Sequence, residues 1–194
     1  MLHIGFLASH FGSTMQSVID ACEEGRILAK PTVLISNNRS SQALQRAKKS
    51  GFPGFCLNSE SHPDPNNLDR GILETLHSFE VDLVVLAGYL KQVGPITIKN
   101  FRGRIINIHP SLLPKYGGQG MYGLNVHKAV IAAGETITGV TVHFVEEQYD
   151  QGEIIEQQAV PIEPCDTPNS LAKRVLAVEY SLLIKTIRTF AYSH

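Results

Sequence analysis

The sequence predicts an α/β protein: a Rossmann-like, doubly wound, mostly parallel sheet with helices on both faces. Two observations carry that expectation. Short apolar runs of strand length alternate with segments whose apolar residues recur at helical spacing. One run, VDLVVLAGYL at residues 81–90, is apolar almost throughout, as a strand buried on both faces of a parallel sheet must be. In such a sheet the crossovers are right-handed, and ligands gather beyond the carboxyl ends of the strands, where the strand order reverses.

The elements follow in order. LHIGFLA at residues 2–8 is a strand, SHFGST a tight loop, and MQSVIDACEEGRI a helix. PTVLISNN repeats the strand signal, SSQALQRAKKSG is a helix closed by Gly51, and FPGFCL is a third short strand. NSESHPDPNN, polar and proline-rich, is a surface loop. It leads to LDRGILETLHSFE, where Leu68, Ile72, Leu76 and Phe79 mark one helical face. After VDLVVLAGYL comes the strand RIINIH, and ITGVTVHFV and EIIEQQAVPI form a late pair of strands. The segment from Thr167 to Phe190 is a long amphipathic helix with Thr167 as N-cap and Pro168 at the first helical position. No repeat, low-complexity tract or linker interrupts this order, so residues 1–194 are expected to be a single domain.

Composition narrows the function classes. The chain has 194 residues, 43% of them hydrophobic and 18% charged, enough for a substantial core. A net charge of -1 argues against a large basic surface, so nucleic acid is not the expected partner. Cys22, Cys56 and Cys165 are unevenly spaced with no C-x-x-C pair, which fits reduced thiols in a cytoplasmic protein and argues against a structural zinc. The start, MLHIGFLASHFGS, lacks a basic region and a cleavage site, and no apolar run is long enough to span a membrane. A soluble protein with no membrane partner is expected.

Three strand-end segments hold candidate chemistry. In SHFGST a glycine turn at a helix start, with Gly12, Ser13 and Thr14, offers free N–H groups and a positive dipole end to an anion such as phosphate. The plainer reading is that Ser13 or Thr14 caps the helix, and without G-x-G-x-x-G no dinucleotide is indicated. In INIHPSLLPKYGG, Asn107 and His109 are two apart on a strand and share one face, while Ile106 and Ile108 point to the core. An imidazole there can act as general acid or base and an amide can donate to an oxyanion, although a lone Asn-x-His is more often structural. In YDQGEI, Asp150 either pairs with His109 or is a simple turn residue. His143 faces either the site or solvent, and Glu179 reads as a residue on the solvated face of the last helix.

Taken together, these residues resemble the folate-dependent formyltransferases. The likeness runs over nearly the whole chain: GST-Q at 12–16, SNN at 36–38, LAGYL at 86–90, NIHPSLLPKY at 107–116, GVTVHFV at 139–145 and D-G-I at 150–154. It implies 10-formyltetrahydrofolate as donor, a primary amine as acceptor, and no metal. Within the family it points to glycinamide ribonucleotide as that acceptor. Asn107, His109 and Asp150 match the catalytic motif. The amine would attack the formyl carbon, Asn107 and protonated His109 would stabilise the oxyanion, and Asp150 would raise the His109 pKa and help move a proton.

The resemblance further implies that Gly12, Ser13 and Thr14 bind the acceptor phosphate, with Thr14 standing where the family has Asn and Phe11 where it has a small polar residue. Glu179 matches an acceptor-binding acid. Leu90, Lys91, Gln92 and Val93, together with Asn107, Glu146, Glu147, Gln148, Tyr149 and Asp150, would hold the folate. Lys91 replaces an Arg common in relatives. GGQGMYGL at 117–124 would be a longer loop acting as a flap, and a cis peptide is implied before Pro114. The additional domains of the tRNA formyltransferases and of the formyl folate hydrolases are not expected. A nucleotide-linked amino sugar is the alternative acceptor, and a non-catalytic folate- or nucleotide-binding module the alternative class. The chain is expected to work as a monomer or homodimer.

Overall fold

The structure is a computed structural model and describes residues 1–193. Its strands are β1 (Leu2–Leu7), β2 (Ala29–Ser36), β3 (Gly54–Cys56), β4 (Leu83–Leu86), β5 (Ile105–His109), β6 (Ile137–Phe144) and β7 (Ile154–Pro161). Its helices are α1 (Ser13–Glu23), α2 (Gln42–Lys49), α3 (Pro65–Ser78), α4 (Pro95–Asn100), α5 (Leu124–Ala132) and α6 (Pro168–Ser193). The strand order is β3-β2-β1-β4-β5-β6-β7. The expected mostly parallel, doubly wound sheet is therefore present. The chain divides into two compact units, residues 1–106 with the segment from Ile187 onward, and Asn107–Thr186.

In the first unit β1 pairs in parallel with both β2 and β4, and β2 with β3. The order therefore reverses at β1, which places the crevice beyond its carboxyl end. Ile4, Phe6, Leu7, Val33, Leu34, Ile35, Leu83, Val84 and Val85 are buried, since α1, α2 and α3 cover the sheet and leave its strands no wet face. Gly51 closes α2 with φ +78, as the sequence suggests. The loop 58–67 ends earlier than expected. Asp64 caps α3 by accepting from Asn66 and Asn67, and Pro65 already occupies the first helical position. Helix α4 carries no apolar stripe, and buried Asp69 of α3 forms its cap, accepting from Ile96 and Thr97 N–H and from the Thr97 hydroxyl.

The second unit holds the antiparallel pair β6–β7 and most of α6. Thr167 caps α6 reciprocally: its Oγ1 accepts from Ser170 N–H, and Ser170 Oγ accepts from Thr167 N–H. Leu171, Val175, Leu182 and Leu183 form its buried stripe. Helix α5 starts at Leu124, so the glycine-rich loop is one residue shorter than expected. Gly123 opens that helix without a side-chain cap.

Candidate active site

In the first unit the turn after β1 is built by the backbone. Gly12 is the N-cap of α1 at φ +68, and no side chain caps the helix. Neither Ser13 nor Thr14 does the capping that the plainer reading gave them. A side chain at position 12 would come within 2.7 Å of the Ala43 Cβ, so α1 and α2 approach as closely as they do only because residue 12 is glycine. The first-turn N–H groups of α1 thus meet the crevice with a positive dipole end and no internal competitor. Arg46 of α2 donates from Nε to the Phe11 carbonyl at 2.8 Å and braces the turn from behind. The Phe11 ring itself is 66% exposed.

Ser9, just past β1, joins three strand ends. Its hydroxyl donates to Asn37 Oδ1 at 2.6 Å and accepts from Leu90 N–H at 2.8 Å, while Asn38 Nδ2 donates to its carbonyl. The segment Leu90 to Val93 is thereby fixed at its first residue. Lys91 and Gln92 are exposed and Val93 is buried beneath them.

The side-chain chemistry is in the second unit. Asn107 and His109 share one face of β5, as alternation requires, and Asp150 reaches them from the β6–β7 turn. His109 Nδ1 is 3.5 Å from Asp150 Oδ2, and Asn107 Nδ2 is 3.5 Å from Asp150 Oδ1. Asp150 adopts φ +56, and its Oδ2 also accepts from Gly118 N–H at 2.9 Å. The D-x-G spacing has a steric cause: a Cβ at Gly152 would overlap the Phe144 carbonyl oxygen. The Leu113–Pro114 peptide is cis, as the resemblance implied.

His143 belongs to the same cluster, which the sequence left undecided. Its Nδ1 lies 2.8 Å from the Phe144 carbonyl, and a carbonyl only accepts, so Nδ1 carries the proton. Nε2 is then the acceptor for Asn107 Nδ2 at 3.1 Å, which orients that amide. His143 Nε2 also lies 3.4 Å from Asp150 Oδ1. His127 of α5 is a further histidine, one the sequence did not point to. It is buried with an unpartnered Nδ1 among the described residues, and its charge would oppose that of His109.

Burial decides the His109 pKa. The ring is 3% exposed, and desolvation pulls its pKa below the usual value, although Asp150 and the Tyr116 carbonyl act in the opposite direction. Asp150 thus raises the His109 pKa as the resemblance implied, but burial outweighs it and the net direction is downward. For Asp150, desolvation pushes up, yet the nearby His143 ring, the His109 charge and the Gly118 N–H together hold its carboxyl below the usual range.

A cavity of about 360 Å³ opens beside Asp150, lined by Leu113, Pro114, Gly117, Gly118, Tyr149, Gln151, Gly152 and Ile154. Backbone polar groups of a turn next to apolar side chains suit a flat heterocycle. Glu179 sits half-buried on α6, and desolvation pushes its carboxyl up to about 7. It is not the solvated residue that helical periodicity suggested.

The profile of the formyl transferase domain matches residues 2–187. The chain belongs to the formyl transferase family. Among relatives of this formyl transferase, the phosphoribosylglycinamide formyltransferase of Haemophilus influenzae is 40% identical over 98% of the chain and 87% of its own length. The chloroplastic phosphoribosylglycinamide formyltransferases of Vigna unguiculata and Arabidopsis thaliana are 42% and 37% identical, each over 91% of the chain. The chain spans 56% and 61% of the lengths of those two plant proteins. The crystal structure of glycinamide ribonucleotide transformylase 1 from Symbiobacterium toebii matches with a TM-score of 0.92 at 37% identity, covering all of this chain and 89% of that one. No helix among the described residues is long and apolar enough to cross a membrane.

Proposed function

We propose that the chain transfers a formyl group from 10-formyltetrahydrofolate to the primary amine of glycinamide ribonucleotide, a step of purine biosynthesis, with residues 1–194 acting as a single formyltransferase domain. The observation that carries this reading is the convergence of Asn107, His109 and Asp150 within hydrogen-bonding reach in a chain of the formyl transferase family. The relatives named for this activity support the acceptor.

The amine attacks the formyl carbon, and its nitrogen–carbon bond forms as the carbonyl becomes an oxyanion. Asn107 Nδ2, held in place by His143, donates to that oxygen, and protonated His109 supplies the opposing charge. Asp150 works against the pull of burial and favours the protonated ring as the oxyanion forms. It also carries the proton lost by the amine toward the folate nitrogen as the carbon–folate bond breaks. No resident metal takes part. Asn107, Glu146, Glu147, Gln148, Tyr149 and Asp150 hold the folate together with Leu90, Lys91, Gln92 and Val93. Gly12, Ser13 and Thr14 take the acceptor phosphate, and Glu179 its glycinamide end. The 117–123 loop, with positive φ at Gly118, Gly120 and Gly123, serves as a flap. The enzyme works in the cytoplasm as a monomer or homodimer, and its three free thiols suit that compartment.

Release of tetrahydrofolate on mixing enzyme, formyl folate and glycinamide ribonucleotide tests the reading. Turnover that needs all three supports it. Turnover only with a nucleotide-linked amino sugar selects a second acceptor class, which Thr14 and the exposed Phe11 favour. Binding without turnover on any amine leaves a non-catalytic module.

A further inference from the structure

We infer that Tyr116, anchored by Glu135, is a positioning residue that gives His109 a hydrogen-bond acceptor at both ring nitrogens, so that the protonated ring is the form that satisfies its surroundings. The inference rests on His109 being the acid–base residue of the formyl transfer.

The argument starts from the ring. His109 Nε2 lies 2.8 Å from the Tyr116 carbonyl oxygen. Because that oxygen only accepts, Nε2 carries a proton whether the ring is neutral or charged. The atom that gains and loses a proton is then Nδ1, which faces Asp150 Oδ2 at 3.5 Å. Without the Tyr116 carbonyl, a neutral ring would place its single proton on Nδ1, toward the carboxylate, and leave Nε2 bare. With the carbonyl in place, a neutral ring must turn a lone pair toward Asp150. Only the imidazolium donates in both directions. The ionisable side chains facing His109 are Asp150 from the β6–β7 turn, His143 on β6 and His127 on α5. Of these only Asp150 favours the cation, so the carbonyl is the second feature that does.

That carbonyl belongs to a backbone in an uncommon conformation. Tyr116 has φ +57, a region that is strained for a side-chain-bearing residue unless its surroundings hold it there. Three contacts do the holding. The Tyr116 phenol donates to Glu135 Oε1 at 3.0 Å, from a residue 19 positions away between α5 and β6. Ser111 Oγ donates to the Lys115 carbonyl at 2.6 Å, one residue before. Gly118 N–H donates to Asp150, two residues after. Of the three, only the phenol acts on Tyr116 itself. Lys115 Nζ binds the same Glu135 oxygen, but from an exposed position where an ion pair contributes little.

The test reads the ring directly by 15N NMR of His109 in the ligand-free protein, together with steady-state kinetics. The wild-type ring should show a protonated Nε2 at every pH at which it is neutral. Tyr116→Phe, which keeps the aromatic ring and the backbone, should move part of the neutral population to the Nδ1–H tautomer. It should also lower kcat three- to tenfold with both KM values within twofold. Glu135→Ala should reproduce both changes. Glu135→Gln, which keeps an acceptor oxygen, should restore the wild-type tautomer and most of the turnover, and Lys115→Met should alter neither. The double variant Tyr116→Phe, Glu135→Ala should lose no more than the worse single one, since both cut the same link. Wild-type ring signals and turnover in both Tyr116→Phe and Glu135→Ala would overturn the inference. Because the spectrum needs no substrate, failure of the proposed acceptor would leave this outcome readable.

Discussion

The turn after β1 and the cluster at the end of β5 handle charge with different materials. In the turn, the groups offered to a ligand are backbone N–H donors, and the decisive residue is a glycine with no side chain. In the cluster, two histidines, an amide and a carboxylate are locked to one another and to carbonyls. A backbone site tolerates changes of neighbouring side chains, which would let Thr14 stand where the family resemblance implies Asn. A side-chain site tolerates almost none.

The strongest way to break this contrast is Asp150→Asn. Asn is well suited to the positive φ, so the turn should survive, but the carboxylate that favours the charged form of His109 is gone. We expect kcat to fall by about 10³ with both KM values nearly unchanged, measured by tetrahydrofolate release. Survival of most of the turnover would remove Asp150 from the chemistry.

Next in size is Glu179→Gln. The carboxyl is pushed up to about 7 by burial, so between the ordinary carboxylate pKa and 7 the folded state holds a proton that the unfolded chain has lost. Folding stability should therefore fall as pH rises through that window, and Glu179→Gln should be the more stable protein at pH 8, by on the order of 2 kcal/mol in chemical denaturation. The same substitution should raise the acceptor KM and abolish a rise of kcat/KM near pH 7. An unaltered pH profile would separate Glu179 from the acceptor.

Gly12→Ala tests the backbone site. The added methyl meets Ala43 and the φ of +68 opposes it, so a loss of about 1–2 kcal/mol in stability should accompany a higher acceptor KM at unchanged kcat. The smallest effect belongs to Thr14→Asn. It adds one side-chain donor to a turn that already works through its backbone, so the acceptor KM should drop about threefold and kcat should stay. A tenfold change would mean that side chains carry more of this site than the contrast allows.

Much of the fold was legible because burial imposes periodicity. The pair Asn107 and His109 could be read together because residues two apart on a strand share a face. His143 could not be placed, since β6 is buried on both faces and alternation there separates two buried sides. Helices α4 and α5 are harder to read: α4 has Pro95 at its start but only six residues and a cap from Asp69, distant in sequence, and α5 starts at a glycine with no side-chain cap. Tyr116 and Glu135 were invisible for a related reason, since the link to His109 runs through a carbonyl that every residue type possesses. Burial also set one net direction that charge alone could not give: Asp150 raises the His109 pKa, and the depth of the ring outweighs it.

The contact between Gly152 and the Phe144 carbonyl has a consequence for how this segment can vary. That carbonyl already fixes His143, so it cannot retreat to admit a methyl group without releasing the histidine. Gln151, exposed on the turn, is free of that restriction. Between acid and glycine, position 151 is therefore open to drift, whereas the one-residue gap itself is a fixed length, set by the room left beneath the strand.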